Sequence, residues 1–162
     1  MNFPPPAFEA KIVAPSDLAA RIAQLPRPLV FTNGCFDILH RGHVTLLGQA
    51  RALGQSMLVA LNSDASVKRL GKGDDRPVNT LADRLAVIAA LECVTLVTWF
   101  DEDTPLERIL ESRPQVLVKG GDWPVDKIVG HREVADWGGA TVSIPFIHQK
   151  STTALLDKIR RL

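Results

Sequence analysis

The 162-residue chain lacks the markers of several protein classes, and each absence excludes one. Two cysteines, Cys35 and Cys93, are too few for a disulfide framework or a repeated metal-ligand pattern, which suits a reducing compartment. No apolar run approaches the roughly 18 residues needed to span a bilayer, and the N-terminus has no basic region followed by an apolar one. A cytoplasmic location is therefore expected. Charge of either sign is not in excess: 19 Lys+Arg against 18 Asp+Glu gives +1. Such balance argues against a broad nucleic-acid-binding face, and leaves room for a local basic pocket that takes a phosphorylated small molecule. What is present, 46% hydrophobic and 23% charged residues with a mean hydropathy of +0.06, is the composition of one ordinary globular domain.

Pro4, Pro5 and Pro6 cannot start a helix, so residues 1–14 are expected to form an extended leader outside a single domain over 15–162. Beyond it, short apolar runs alternate with helical patterns. Strands are predicted at Leu29 to Phe31, Met57 to Leu61, Val94 to Thr98, Gln115 to Val118 and Thr141 to Ile144, with Gly120-Gly121 breaking the fourth. Helices are predicted around Leu18 to Leu25, Leu46 to Leu53, Asp64 to Leu70, from Thr80, from Thr104-Pro105, up to Trp137, and after Ser151. Thr80 to Asp83 resembles a capping box, Thr104 reads as an N-cap before a proline, and the last helix carries Leu155, Leu156 and Ile159 inward. Alternating strands and helices imply parallel βαβ units. The expected fold is a Rossmann-like α/β domain, a doubly wound five-stranded parallel sheet with helices on both faces.

In such sheets ligands bind beyond the carboxyl ends of the strands, near the reversal of strand order. The segment after the first strand reads Thr32-Asn33-Gly34-Cys35-Phe36-Asp37-Ile38-Leu39-His40-Arg41-Gly42-His43. It contains neither G-x-G-x-x-G nor a P-loop, which sets aside both common nucleotide fingerprints. What it offers is a glycine turn and two histidines flanking Gly42 at a helix mouth. Unpaired N–H groups there attract phosphate, and imidazoles add donors that follow charge developing on a phosphoryl group.

The Asn-Gly-x-Phe-Asp-x-x-His-x-Gly-His run resembles the signature of the nucleotidylyltransferase superfamily. Four further blocks, residues 60–70, Arg76 to Asn79, Val118 to Asp122 and Ser151 to Thr153, follow in the order of its subfamily of adenylyltransferases in ADP-heptose synthesis. The resemblance implies transfer of AMP from ATP to D-glycero-β-D-manno-heptose 1-phosphate, with pyrophosphate released and Mg²⁺ held mainly by the ATP phosphates. It makes His40, His43 and Lys68 catalytic. Thr32, Asn33, Gly34, Cys35, Phe36, Lys119, Gly120, Gly121, Asp122, Ser151, Thr152 and Thr153 become nucleotide contacts. Asp37, Asn62, Asp64, Arg69 and Arg76 fall on the acceptor side, with Lys72 a supporting cation. No dedicated metal site is implied. The implied partners are the two small-molecule substrates, a separate upstream heptose kinase and a second copy of the chain as a homodimer, with no nucleic acid and no membrane. Relatives often carry a tyrosine shortly after the second histidine; this chain has no tyrosine at all.

Plainer readings stand beside these. The histidines could cap a helix, the cations from Lys68 to Arg76 could be a solvated loop, and Asp37 and Asp64 could cap turns. Trp123 is either rim or nucleotide neighbour. Cys35 invites a nucleophile reading, but no base is spaced to activate it. The alternatives to adenylyl transfer are cytidylyl transfer to glycerol 3-phosphate or a related acceptor, and a nucleotide-binding module without turnover.

Overall fold

The structure, a computed structural model, describes residues 3–71, 73, 75–148 and 152–162. Five parallel strands, β1 (Leu29–Gly34), β2 (Ser56–Asn62), β3 (Leu96–Phe100), β4 (Val116–Gly120) and β5 (Ala140–Ile144), lie in the order β3-β2-β1-β4-β5. The order reverses between β1 and β4, so the two strands part company at their carboxyl ends and leave a crevice. The helices are α1 (Leu18–Ile22), α2 (Arg41–Arg51), α3 (Asp64–Arg69), α4 (Leu81–Ala89), α5 (Leu106–Ser112), α6 (His131–Asp136) and α7 (Thr152–Arg160).

Strand side chains alternate between two cores. Val30, Val59, Val97 and Val118 pack with Leu46 and Leu47 of α2 and Leu85 and Ile88 of α4. Phe31, Ala60, Leu96 and Leu117 pack on the other side with Leu18, Ile22, Ile109 and Val134 of α1, α5 and α6. Both sheet faces are covered, which is why these strands read as continuous apolar runs. Among the described residues no helix is long and apolar enough to cross a membrane.

Several boundaries differ from the sequence reading. The third strand begins two residues late, because Val94 N–H donates back to Leu91 in a turn and the apolar run continues to Phe100. Thr104 does not cap α5; Pro105 occupies the cap position with no side-chain bond. Gly120 does not break β4 but pairs with Ile144, and its missing Cβ is what admits a Leu46 methyl, which an added carbon would meet at 2.5 Å. Ile159 does not point inward: it is 60% exposed, while Leu155 and Leu156 are half-buried. Thr80 does cap α4, accepting from Asp83 N–H.

The leader is not simply extended. Ala7–Lys11 form a 3-10 turn, Ile12 bridges Val97 at the edge of the sheet, and Val13 N–H donates to the Val97 carbonyl at 2.9 Å. Phe8 and Val13 supply apolar surface that the proline triplet obscured, and Val13 is buried in the second core. Val13→Ala is expected to cost about 2 kcal/mol and lower Tm by roughly 4–8 °C in a thermal melt. An unchanged Tm would place this segment outside the fold.

Candidate active site at the strand reversal

Local sequence builds the cradle from β1 onward. After Gly34 the chain turns through Phe36, whose φ of +46° is left-handed and unusual for an aromatic residue. Such a conformation costs of order 1–3 kcal/mol and persists only where the surroundings fix it. Gly34 gives the Phe36 ring its seat: a Cβ there would lie 3.0 Å from it. The ring then meets His43 edge-on at 5.2 Å, and His43 stacks on His40 with centroids 3.8 Å apart. His40 is the N-cap residue of α2, extended at φ −143° and ψ 169°, and its carbonyl accepts from His43 N–H at 2.9 Å. Gly42 between them is tight, since an added carbon would come within 3.1 Å of the His40 ring and 3.4 Å of the His148 carbonyl.

Both imidazoles are held toward the neutral form. Burial lowers the pKa of His40, against a smaller backbone effect. Burial, then the His40 neighbour, push His43 down to about 4, while the Ile38 backbone opposes them. The Nδ1 atoms of both rings are buried without a partner among the described residues.

The acceptor-side residues have a different geometry from the one expected. Asp37 is buried, and its carboxylate accepts from Arg76 Nε at 2.5 Å, from Val78 N–H and from Asn79 N–H at 2.9 Å. Burial alone would raise its pKa; the Asn79 and Val78 amides and the Arg76 guanidinium outweigh that and lower it. Asp37 and Arg76 thus bind each other, and together they hold the 76–79 loop against the end of β1. Asn62 is also turned inward, donating to Ser66 Oγ at 3.0 Å. Arg69 is held by Asp103 at 2.8 Å on the exposed side of α3, whereas Lys68 is exposed. Lys72 and Ser151 lie outside the described residues; Thr152 is buried and Thr153 exposed.

One residue was missed. Arg84 of α4 is fully buried and donates to the Cys35 carbonyl at 2.7 Å, the Asn79 carbonyl at 3.2 Å and the Asp64 carboxylate at 2.7 Å. Its signal was in the spacing: position 84 lies three after Leu81 and four before Ile88, on the apolar stripe itself.

A second recess opens on the opposite side of the reversal point. Asn33 and Lys119 point to the face opposite Thr32 and Val118 by strand alternation, and Lys119 Nζ lies 3.5 Å from Asn33 Oδ1. With Pro105, Trp123, Lys127, Ile128 and Val129 they line a cleft of about 190 Å³. Gly121, at φ +110°, turns the chain so that its N–H donates to Ile144 and the Trp123 indole packs beside it. Trp123 remains 53% exposed. Cys35 Sγ sits 3.7 Å from Asn62 Oδ1, a weak contact with no base in it. Among the described residues no cluster of three His, Cys, Asp or Glu side chains could hold a metal ion.

A family model described as cytidylyltransferase-like matches residues 31–155. The D-beta-D-heptose 1-phosphate adenylyltransferase of Bordetella bronchiseptica is 58% identical over 156 residues, covering 95% of this chain and 96% of that protein. The bifunctional protein HldE of Hahella chejuensis is 54% identical over 134 residues, which make up 82% of this chain and 28% of that longer protein. In three dimensions the chain is similar to the lipopolysaccharide core biosynthesis protein of Thermoplasma volcanium, with a TM-score of 0.60 and 24% identity over 75% of this chain and 98% of the other. It is also similar to a pantoate-beta-alanine ligase of Francisella tularensis, with a TM-score of 0.60 and 12% identity over 93% of this chain and 78% of the other. At these identities the two structures show a shared fold.

Two consequences of the geometry are measurable. Asp37→Asn leaves the Arg76 guanidinium buried without its counter-charge, and is expected to cost roughly 3–5 kcal/mol in urea unfolding. A loss under about 1 kcal/mol would mean that the pair is solvated. For His43, the folded state refuses a proton between about pH 4 and 6.5 that the unfolded chain accepts. Its contribution to stability is therefore whole above pH 6.5 and lost as pH falls toward 4. An NMR titration should place the His43 midpoint near 4; a midpoint near 6.5 would contradict the buried, stacked geometry.

Proposed function

This chain belongs to the cytidylyltransferase-like family, and on that premise we propose that it transfers AMP from ATP to D-glycero-β-D-manno-heptose 1-phosphate. The products are ADP-heptose and pyrophosphate, and the ADP-heptose serves lipopolysaccharide core or related glycan synthesis. The observation that carries the reading is the 58% identity to a heptose 1-phosphate adenylyltransferase along 95% of the chain.

The chemistry is one in-line displacement. An oxygen of the sugar 1-phosphate attacks the α-phosphorus of ATP; that P–O bond forms as the bond from the α-phosphorus to the bridging oxygen breaks, and pyrophosphate leaves with the electron pair. The attacking phosphate is already anionic at neutral pH, so the protein's tasks are alignment and charge stabilisation. Neutral His40 and His43 donate N–H to the triphosphate beside the N-terminus of α2. The Cys35–Phe36 backbone lines the cradle, and Lys68 adds positive charge near the reacting phosphates. Mg²⁺ enters with the nucleotide as part of the substrate, held by phosphate oxygens.

We assign the sugar phosphate to the cleft of Asn33, Lys119, Trp123 and Lys127, whose lysines suit a phosphate and whose indole suits the C–H face of a sugar ring. Gly120, Gly121, Asp122, Thr152 and Thr153 remain with the nucleotide in this reading. Asp37 and Arg76 then act indirectly, by shaping the 76–79 loop, and Asn62, Asp64 and Arg69 take no direct part in holding the acceptor in this reading. A phosphorylating enzyme must supply the sugar 1-phosphate. The description of the matched family model favours one second reading, in which CTP is the donor and glycerol 3-phosphate the acceptor.

A panel crossing ATP and CTP with heptose 1-phosphate and glycerol 3-phosphate, read as pyrophosphate release, separates the two. ATP with heptose 1-phosphate is expected to be the best pair, and equal turnover of CTP with glycerol 3-phosphate would overturn the assignment. In the same assay His43→Ala should lower kcat by roughly 10²–10³ with a smaller change in KM for ATP.

A further inference from the structure

We infer that Arg84 is a positioning residue that sets the direction of the Cys35–Phe36 peptide and so forms the phosphate cradle. What the cradle holds rests on the adenylyl-transfer reading above. Arg84 touches none of the reacting atoms in that reading. Arg84 is 1% exposed, and its three hydrogen-bonding nitrogens reach three separate segments: Cys35 just after β1, Asn79 in the 76–79 loop and Asp64 at the start of α3.

The contact to Cys35 has a geometric consequence. A trans peptide is planar, with its C=O and the following N–H on opposite sides, so a donor fixing the Cys35 carbonyl also fixes the Phe36 N–H pointing away from α4. Among the described residues no hydrogen bond occupies that N–H. Phe36 is held at φ +46°, a conformation that needs its neighbours to enforce it, and its ring is wedged between Gly34 and the edge of His43. Rotation of the peptide would therefore withdraw the N–H and shift the support of the histidine pair together. A lysine at 84 would bring one compact ammonium to a place where a planar fork serves three acceptors in different directions. The charge, by contrast, would be preserved, since Asp64 would still face a cation.

The test compares Arg84→Lys and Arg84→Met with Thr80→Ala, which removes the cap of the same helix without touching Cys35. Each is ¹⁵N-labelled and titrated with the magnesium complex of α,β-methylene-ATP, and each is assayed for kcat and KM. In the wild type the Phe36 amide resonance should shift on addition of the analogue. In Arg84→Lys that shift should be lost and kcat, measured well below a Tm lowered by the abandoned buried carbonyls, should fall by about 10²-fold, the scale of one misplaced transition-state donor. Thr80→Ala should lower Tm yet keep both the amide shift and kcat. If Arg84→Met does not fold, the lysine variant carries the comparison. An Arg84→Lys enzyme with kcat within about threefold of wild type, or a wild-type Phe36 amide that ignores the bound analogue, overturns the inference. Absence of turnover in the wild type would count against adenylyl transfer alone, because the amide titration requires only binding.

Discussion

The buried carboxylate of Asp37 is the interaction on which the ligand end of this molecule depends. A charge taken out of water must be repaid by donors, and here a guanidinium and two backbone amides from one short loop supply them. The loop is thereby folded against β1 without a hydrophobic core of its own. Its far end delivers Thr80 to cap α4, and α4 delivers Arg84 back to the cradle. Asp37, Arg76, Asn79 and Arg84 form a closed circuit from the end of β1 through the loop and helix to the end of β1 again. Residues that a motif comparison assigns to substrate thus act first on one another.

Much of this was legible from the sequence, for reasons that differ by element. Buried parallel strands leave a continuous apolar signature, so Leu29 to Phe31 and Met57 to Leu61 could be placed directly; both proved longer, because Asn33 and Asn62 extend them with polar side chains that no hydropathy pattern marks. The paired histidines stood out through the ordered motif blocks around them, since two imidazoles at a helix mouth, taken alone, read more readily as caps. The partners of Asp37 and Arg76 were not legible: they are 39 positions apart, and a single sequence carries no information on which charges meet. Arg84 was hidden for a subtler reason. A charged residue is ordinarily assigned to the wet face of a helix, whereas its spacing from Leu81 and Ile88 put it on the dry one.

The strand reversal also divides labour between the two sheet faces. Alternation sends Thr32 and Val118 toward the side of α2 and the histidines, and Asn33 and Lys119 toward the side of α5 and Trp123. Two recesses with different chemistry, one of neutral imidazoles and helix N–H groups and one of lysines and an indole, open from adjacent residues of the same two strands. The proposed two-substrate reaction would use such an arrangement by giving each ligand its own wall on either side of the strand ends.

The N-terminal strap has a consequence for behaviour in solution. β3 is an outer strand of the sheet, and an unprotected outer strand offers a row of amides and carbonyls onto which another molecule can add a strand of its own. Here Val13 occupies the Val97 carbonyl and Ile12 bridges the same residue, interrupting that row near its start, while Phe8 packs against the first core. The preceding prolines cannot donate to a ladder and so cannot extend the pairing outward. A stretch that looks dispensable in composition serves as a stopper, ending the sheet at five strands and denying intermolecular association a template on that side.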